Sequence, residues 1–227
     1  MGFESISSTH PSDQTLRDHA TATWTAGSEG PPGPQSMSTL PHLTIGEVHD
    51  ASDLMVRSEL GRGGMGVVHL ARQHSLERDV AIKRVHDDGK PHVVTALIRE
   101  ARMMSLVEHP NVIPVHAMGL DDHGRPAVVM KRVEGTAWRN LIRDPDHAGW
   151  SALMDQGRDR LDDHIRVLLD VCNAVHFAHS RGLLHRDLKP ENVMLGCFGE
   201  VYVLDWGLAI PIEEGRAQTR HLVGTPA

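Results

Sequence analysis

Asp187, Lys189 and Asn192 fall within six residues of one another, in the run His185-Arg186-Asp187-Leu188-Lys189-Pro190-Glu191-Asn192. An acid, a lysine and an amide share this short segment, and one proline stiffens it. The apolar runs Val193-Met194-Leu195 and Val201-Tyr202-Val203-Leu204 follow, and then Asp205-Trp206-Gly207. The order reads as a loop, a short hairpin and a second acid at the hairpin's exit. Two carboxylates and an amide converging there suit a bound cation beside a hydroxyl nucleophile.

A second constellation lies upstream. Leu54 to Leu60 reads as a strand, Gly61-Arg62-Gly63-Gly64-Met65-Gly66 as a glycine turn, and Val67-Val68-His69-Leu70-Ala71 as a second strand. Backbone N–H groups in such a turn can approach phosphates without obstruction by Cβ atoms. Dinucleotide-binding folds use the same Gly-x-Gly-x-x-Gly letters, but there the glycines open a helix. The β-branched residues downstream favour a strand here. Val80-Ala81-Ile82-Lys83-Arg84-Val85 is a third strand, and Lys83 is either a solvent-facing lysine or an ammonium for phosphates. Pro91 to Val107 reads as a helix, with Val94, Leu97, Ile98, Ala101, Met104 and Val107 at a period near 3.6 and Glu100 in its middle.

Val112 to Met118 and Ala127 to Met130 complete a small antiparallel sheet, with turn chemistry at Asp121-Asp122-His123-Gly124. Asp144 to Gly157 is polar and reads as an extended loop. Leu161 to Arg181 is a long helix with a stripe of Leu161, Ile165, Leu168, Leu169, Cys172, Val175 and Ala178 or His179. Asp162 and Asp163 favour its N-terminal dipole, and Gly182 ends it. His176 and His179 are three apart on it. With no third ligand at helical spacing they read as packed or hydrogen-bonded rather than zinc-binding.

These motifs resemble those of protein kinases. The first run matches the catalytic loop His-Arg-Asp-Leu-x-x-x-Asn, Asp205-Trp206-Gly207 the Asp-Phe-Gly element, Gly61 to Val68 the glycine-rich loop, and Val80 to Lys83 the Val-Ala-Ile-Lys strand. Asp-Leu-Lys-Pro-Glu-Asn is the form of the serine/threonine class, so the chain resembles a bacterial-type, eukaryotic-like serine/threonine kinase. The resemblance implies an α+β, two-lobe fold and transfer of the ATP γ-phosphoryl group to protein hydroxyls with Mg²⁺. Asp187 is then the catalytic acid–base residue and Lys189 the contact to the γ-phosphate. Asn192 and Asp205 hold the metal. The implied ATP site is Leu60, Gly61, Arg62, Gly63, Gly64, Met65, Gly66, Val67, Val68, Ala81, Lys83, Glu100, Met130, Val133 and Met194. Glu100 is the partner of Lys83, with Glu108 a poorer candidate. Met130 guards the adenine pocket, and Lys131 to Val133 form the hinge. Arg186 implies control by a phosphorylated activation segment, with Thr219 and Thr225 as candidate phosphosites and self-phosphorylation as one route. Trp206 replaces the usual Phe, with Met104, Leu106 and His185 as its expected neighbours.

The chain has 227 residues, 40% hydrophobic and 23% charged, with a formal net charge of −7. It lacks the basic stripe of a nucleic-acid binder. Aromatics are only 4%, so the core must be aliphatic. Cys172 and Cys197 read as buried or semi-buried thiols in a reducing compartment. No apolar run reaches transmembrane length and no secretory signal precedes the domain, which places this segment in the cytoplasm and leaves open a membrane anchor in a longer parent chain. Residues 1–52 are rich in Ser, Thr, Pro and Gly and read as a disordered tail, with Trp24 and Phe3 as its aromatics. The kinase-like domain spans 53–227. It includes the small lobe and the first part of the large one, because the resemblance stops at Ala227, short of the Ala-Pro-Glu element. The expectation is a fragment, weakly folded and nearly inactive alone. Two other readings are a nucleotide-binding, pseudokinase-like regulator and a non-enzymatic interaction protein that uses the tail.

Overall fold

The computed structural model describes residues 39–46, 52–86, 89–152 and 159–213. Thr219, Thr225, Phe3 and Trp24 lie outside the described residues. The fold is α+β. A six-stranded sheet is built from β1 (Ile45–Gly46), β2 (Leu54–Gly63), β3 (Gly66–Gln73), β4 (Arg78–Arg84), β5 (Val115–Leu120) and β6 (Pro126–Lys131), in the order β1-β2-β3-β4-β6-β5. β2 and β3 form a hairpin across Gly64 and Met65, paired from Leu54↔Gln73 to Gly63↔Gly66. A Cβ at Gly66 would lie 2.0 Å from the Arg84 carbonyl oxygen, so only glycine lets the turn close against β4.

Residues paired across strands share a face. Lys83 pairs with Val68 and Val128, and these face α1 (Pro91–Leu106), whose Leu97, Ala101 and Met104 complete the inner core. Pro91 suits the first helical turn because it lacks an N–H that would go unbonded there. The periodicity that outlined this helix also identifies its buried side, Glu100 included.

The outer face has its own apolar cluster of Ile45, Leu54, Ala71, Val80, Ile82, Ala127 and Val129. It is closed by a strap, residues 41–46, inside the stretch that the composition assigned to a tail. The Leu43 N–H donates to the Leu120 carbonyl (2.8 Å) and the Leu120 N–H to the Pro41 carbonyl (2.8 Å), on the β5 edge. At the other end β1 pairs in parallel with β2. Leu43 and Ile45 are the apolar residues that give the strap something to bury. Gly119 lets it approach, since a Cβ there would sit 2.4 Å from the Pro41 oxygen.

The remaining elements carry the catalytic loop. A three-stranded sheet joins β7 (Gly135–Ala137), β9 (Val193–Gly196) and β10 (Val201–Val203), in the order β10-β9-β7. β8 (Leu183–Leu184) pairs with β11 (Ile210–Pro211). Between them run α2 (Trp138–Arg143), a 3-10 turn at Ala148–Ala152 and α3 (Arg160–Ser180). The expected loop from Asp144 is thus partly a turn, ordered by Trp150, which is buried against the edge of His164. Asp159 caps α3 by accepting from the Leu161 N–H (3.2 Å). Gly182 follows its end at φ +76°, as the C-terminal glycine rule requires.

Two expectations need correction. The buried face of α3 is Val167, Val171, Ala174 and Ala178, which meet β8 and β10. Leu161, Ile165, Leu168 and Leu169 are exposed, between 45% and 62%. The helix is apolar on two sides, and periodicity alone does not choose between them. Both cysteines are exposed. Cys172 lies on the outward side of α3, and Cys197 sits in the turn between β9 and β10.

Candidate active site

Four elements bring polar groups to one place. From β4, Lys83 Nζ donates to both carboxylate oxygens of Glu100 on α1, each at 2.6 Å. The pair is largely dry, with the side chains 17% and 5% exposed. Burial pushes the Glu100 carboxyl up, Lys83 pulls it back in part, and the charge of Asp205 adds to the rise. Short charge-assisted bonds to both oxygens show what offsets the cost of burying an acid here.

The catalytic loop begins at His185, which is buried. Its Nδ1 accepts from the Asp187 N–H (3.2 Å), so its Nε2–H donates to the Leu204 carbonyl (3.0 Å). Those bonds define the neutral tautomer. Burial lowers the pKa of the imidazole and keeps it uncharged. His185 thereby ties the loop to the residue before Asp205. Next to it Arg186 adopts φ +72°, and Asp205 adopts φ +57°. Left-handed backbone at two non-glycine residues is held strain, of a kind found where side chains must be aimed.

Asp187 is buried. Its Oδ2 accepts from Lys189 Nζ (2.7 Å) and from Asn192 Nδ2 (3.1 Å), and its carbonyl accepts a second bond from the same amide (2.9 Å). The Asn192 side-chain amide nitrogen is thus committed to Asp187, and its side-chain oxygen is the atom that could face a cation. A 3-10 turn at Pro190–Asn192 positions that amide.

Gly207 marks where the other groups meet. A Cβ on it would lie 3.2 Å from Asp205 Oδ1, 3.4 Å from Met65 Cε and 3.8 Å from Glu100 Oε2. The tip of the glycine turn, the helix acid and the second carboxylate therefore surround one small space. Trp206 between them is fully buried and lies 4.5 Å from the His185 ring. Met104 shares its core cluster, and Leu106, also expected near it, is 39% exposed.

Val68, Ala81, Met130 and Val133 pack into the inner cluster that would floor and back an adenine pocket. Met194 is half-buried on β9, opposite Ala137. Leu60, Gly61, Gly63 and Gly64 lie on the glycine hairpin, with Leu60 exposed. Arg62 and Val67 differ. They line a pocket on the opposite face of the sheet, so their side chains do not enter the cleft.

Two contacts had no signal in the motifs. Arg99 Nη2 donates to the Ala209 carbonyl (3.1 Å), fastening α1 to the segment after Gly207. Lys131, in the hinge, bonds Tyr202 Oη on β10 and lies over its ring. Tyr202 is the chain's sole tyrosine, three residues before Asp205.

An oxygen-donor pair such as Asn192 and Asp205 fits a hard divalent cation that keeps water and phosphate oxygens in its shell. Among the described residues no group of three or more His, Cys, Asp or Glu is placed to hold a metal. No helix among them is long and apolar enough to cross a membrane.

Comparison with known proteins agrees with this geometry. The protein kinase domain matches residues 54–227. The serine/threonine-protein kinase PknD of Protochlamydia amoebophila is 38% identical over 164 residues, 68% of this chain and 16% of that protein. PknD of Chlamydia trachomatis is 33% identical over 153 residues, 66% of this chain and 16% of that protein. PknD of Chlamydia felis is 33% identical over 156 residues, covering 68% and 17%. The chain therefore spans about a sixth of the length of these relatives. The matched range takes in the sheet, the Lys83–Glu100 pair and the catalytic loop, and the chain belongs to the protein kinase family.

Proposed function

We propose that this chain transfers the γ-phosphoryl group of ATP to serine or threonine hydroxyls of proteins. The observation that carries the reading is the carboxylate of Asp187, buried and held by both Lys189 and Asn192, with the Lys83–Glu100 pair formed on the other side of the cleft. A buried carboxylate aimed in this way can orient an incoming hydroxyl and take its proton. Lys189 lies close enough to Asp187 to neutralise the transferred group as well as the acid. Lys83 would orient the α- and β-phosphates, and Gly61 to Gly66 would cover them with backbone N–H groups. Asn192 and Asp205 would hold Mg²⁺, which supplies positive charge where negative charge develops on the phosphates.

The run Asp-Leu-Lys-Pro-Glu-Asn supports serine and threonine as acceptors. Thr219 is the proposed site of self-phosphorylation, with Arg186 receiving the phosphate. The kinase domain is taken as 53–227. ATP as substrate and two exposed free thiols fit a cytoplasmic setting.

The test is phosphoryl transfer from Mg²⁺-ATP to a generic protein acceptor by the full chain, against Asp187→Asn. Transfer that falls by about 10²–10⁴-fold in the variant, with nucleotide binding intact, is the expected result. Nucleotide binding without transfer in the unaltered chain would reduce the reading to a nucleotide-binding module.

A further inference from the structure

A pocket of about 290 Å³ lies between α3 and the turn that joins β9 to β10. No residue assigned to ATP, the metal or phosphoryl transfer lines it. Asp163, Arg166, Val167 and Asp170 form one wall, and Phe198 and Val201 stand on the other. The helical residues fall at i, i+3, i+4 and i+7, so they share one face of α3. The opposite wall is a fixed turn. The Phe198 N–H donates to Glu200 Oε2 (3.1 Å), and the Gly199 N–H donates to the Gly196 carbonyl (3.1 Å). Glu200 is committed to that turn, with Lys131 Nζ 4.0 Å from its other oxygen. Phe198 is left 88% exposed at the edge of the pocket.

Asp163 is the unusual member. It is 3% exposed and lines the pocket, yet among the described residues no hydrogen bond or ion pair reaches its carboxylate. The other buried carboxylates are all matched: Glu100 by Lys83, Asp121 by Arg125 and Asp187 by Lys189. The dipole of α3 favours a charge on Asp163 but supplies no donor to its oxygens. Burying an acid without a partner is costly, and a cation entering the pocket offsets that cost. Arg166 shares the wall but forms no ion pair with Asp163 or Asp170 in this structure. Two acids against one guanidinium leave the wall negative.

Carboxylates beside an exposed aromatic ring match a guanidinium or ammonium on an apolar stem. We infer that this pocket receives an arginine or lysine side chain of a partner protein. The charge pairs with Asp163, and the stem lies along Val167, Val201 and Phe198. The formal net charge of −7 draws basic partners toward the chain.

The experiment is an amide NMR titration of the ¹⁵N-labelled full chain at pH 7 and constant ionic strength. The probes are N-acetyl-arginine amide, its neutral isostere N-acetyl-citrulline amide, and agmatine as a free cation. Saturable shifts at Phe198 and Gly199 are expected with the arginine probe and not with the citrulline probe. Affinity should fall at least about 10-fold in Asp163→Asn, which keeps the shape and removes the charge. It should fall about 2–5-fold in Phe198→Ala, a change at an exposed side chain that keeps the test valid if Asp163→Asn fails to fold. Arg166→Gln removes a competing cation and should tighten binding. Asp187→Asn should leave the affinity unchanged, which separates this pocket from the acids of the cleft. Equal shifts from the citrulline probe, unchanged affinity in Asp163→Asn, loss of binding in Asp187→Asn or an absence of saturation would overturn the inference. Tighter binding of agmatine than of the arginine probe would overturn the assignment to a protein side chain. None of these readouts needs phosphoryl transfer.

Discussion

Lys83→Met makes a quantitative test of the buried pair. Both Glu100 oxygens bond the one ammonium at 2.6 Å, and the glutamate side chain is 5% exposed. Removing Lys83 leaves an acid in a dry site beside Asp205. An uncompensated buried charge of this kind costs about 3–5 kcal/mol. The carboxyl can avoid that cost by taking a proton, because burial already raises its pKa and the variant loses the opposing effect of Lys83. A folded pKa above the unfolded one gives stability that is complete below the unfolded value and is lost as pH rises through the folded value. Within that window the change is about 1.4 kcal/mol per pH unit. The penalty of Lys83→Met, read by urea denaturation and tryptophan fluorescence, should therefore be larger at pH 8 than at pH 5. Adding Glu100→Gln should remove that slope. A penalty independent of pH, or a double variant no more stable than Lys83→Met at pH 8, would refute the reasoning.

Trp206→Phe should change stability by less than about 1.5 kcal/mol, whereas Trp206→Ala costs about 3–5 kcal/mol. The Trp206 indole N–H is buried without a hydrogen-bond partner, so phenylalanine loses volume but also relieves an unpaired donor. Equal losses in the two variants, in a chemical denaturation series, would show that the indole N–H is bonded after all. Gly119→Val should displace the strap, speed amide exchange at Leu43 and Leu120 and cost about 1–3 kcal/mol, with nucleotide affinity unchanged. Wild-type exchange rates there would sink the account of why glycine occupies the position. For His185 the folded pKa lies below the unfolded one, near 6.5. Its share of stability is therefore complete above that value and is lost as pH falls through the folded pKa. His185→Gln should flatten this limb of the stability profile, leaving the part due to His116, which burial also holds down.

Motif spacing pointed to Lys83, Asp187, Asn192 and Asp205, and Glu100 followed from its place in the middle of the helix; the structure brings Lys83 to Glu100 and Asp187 to Asn192. The small-lobe strands were legible for a related reason. Their alternation is forced by an inner and an outer core. What escaped was anything decided by partners far along the chain. Leu161 and Leu169 have the period of a buried stripe, yet Val167 and Val171 were chosen because β8 and β10 arrive on their side. Arg62 and Val67 sit inside the phosphate motif, but strand alternation turns them away from it. The strap was hidden because two apolar residues in a polar stretch, Leu43 and Ile45, carry no periodicity.

The strap also imposes an order on biosynthesis. Residues 41–46 leave the ribosome before the sheet they cover, and the carbonyl and N–H of Leu120 that bind them follow roughly 80 residues later. At typical elongation rates that is a wait of about 4–16 s. During that interval β2, β3 and β4 can pair through local hairpins while Val80 and Ile82 lack the cover that they have in the finished lobe. The strap, made before β2, is then among the last parts of the sheet to dock, and its arrival follows completion of β5 and β6. A nascent chain arrested shortly after β4 should be open to proteolysis around Ile45, and one arrested beyond β6 should be closed.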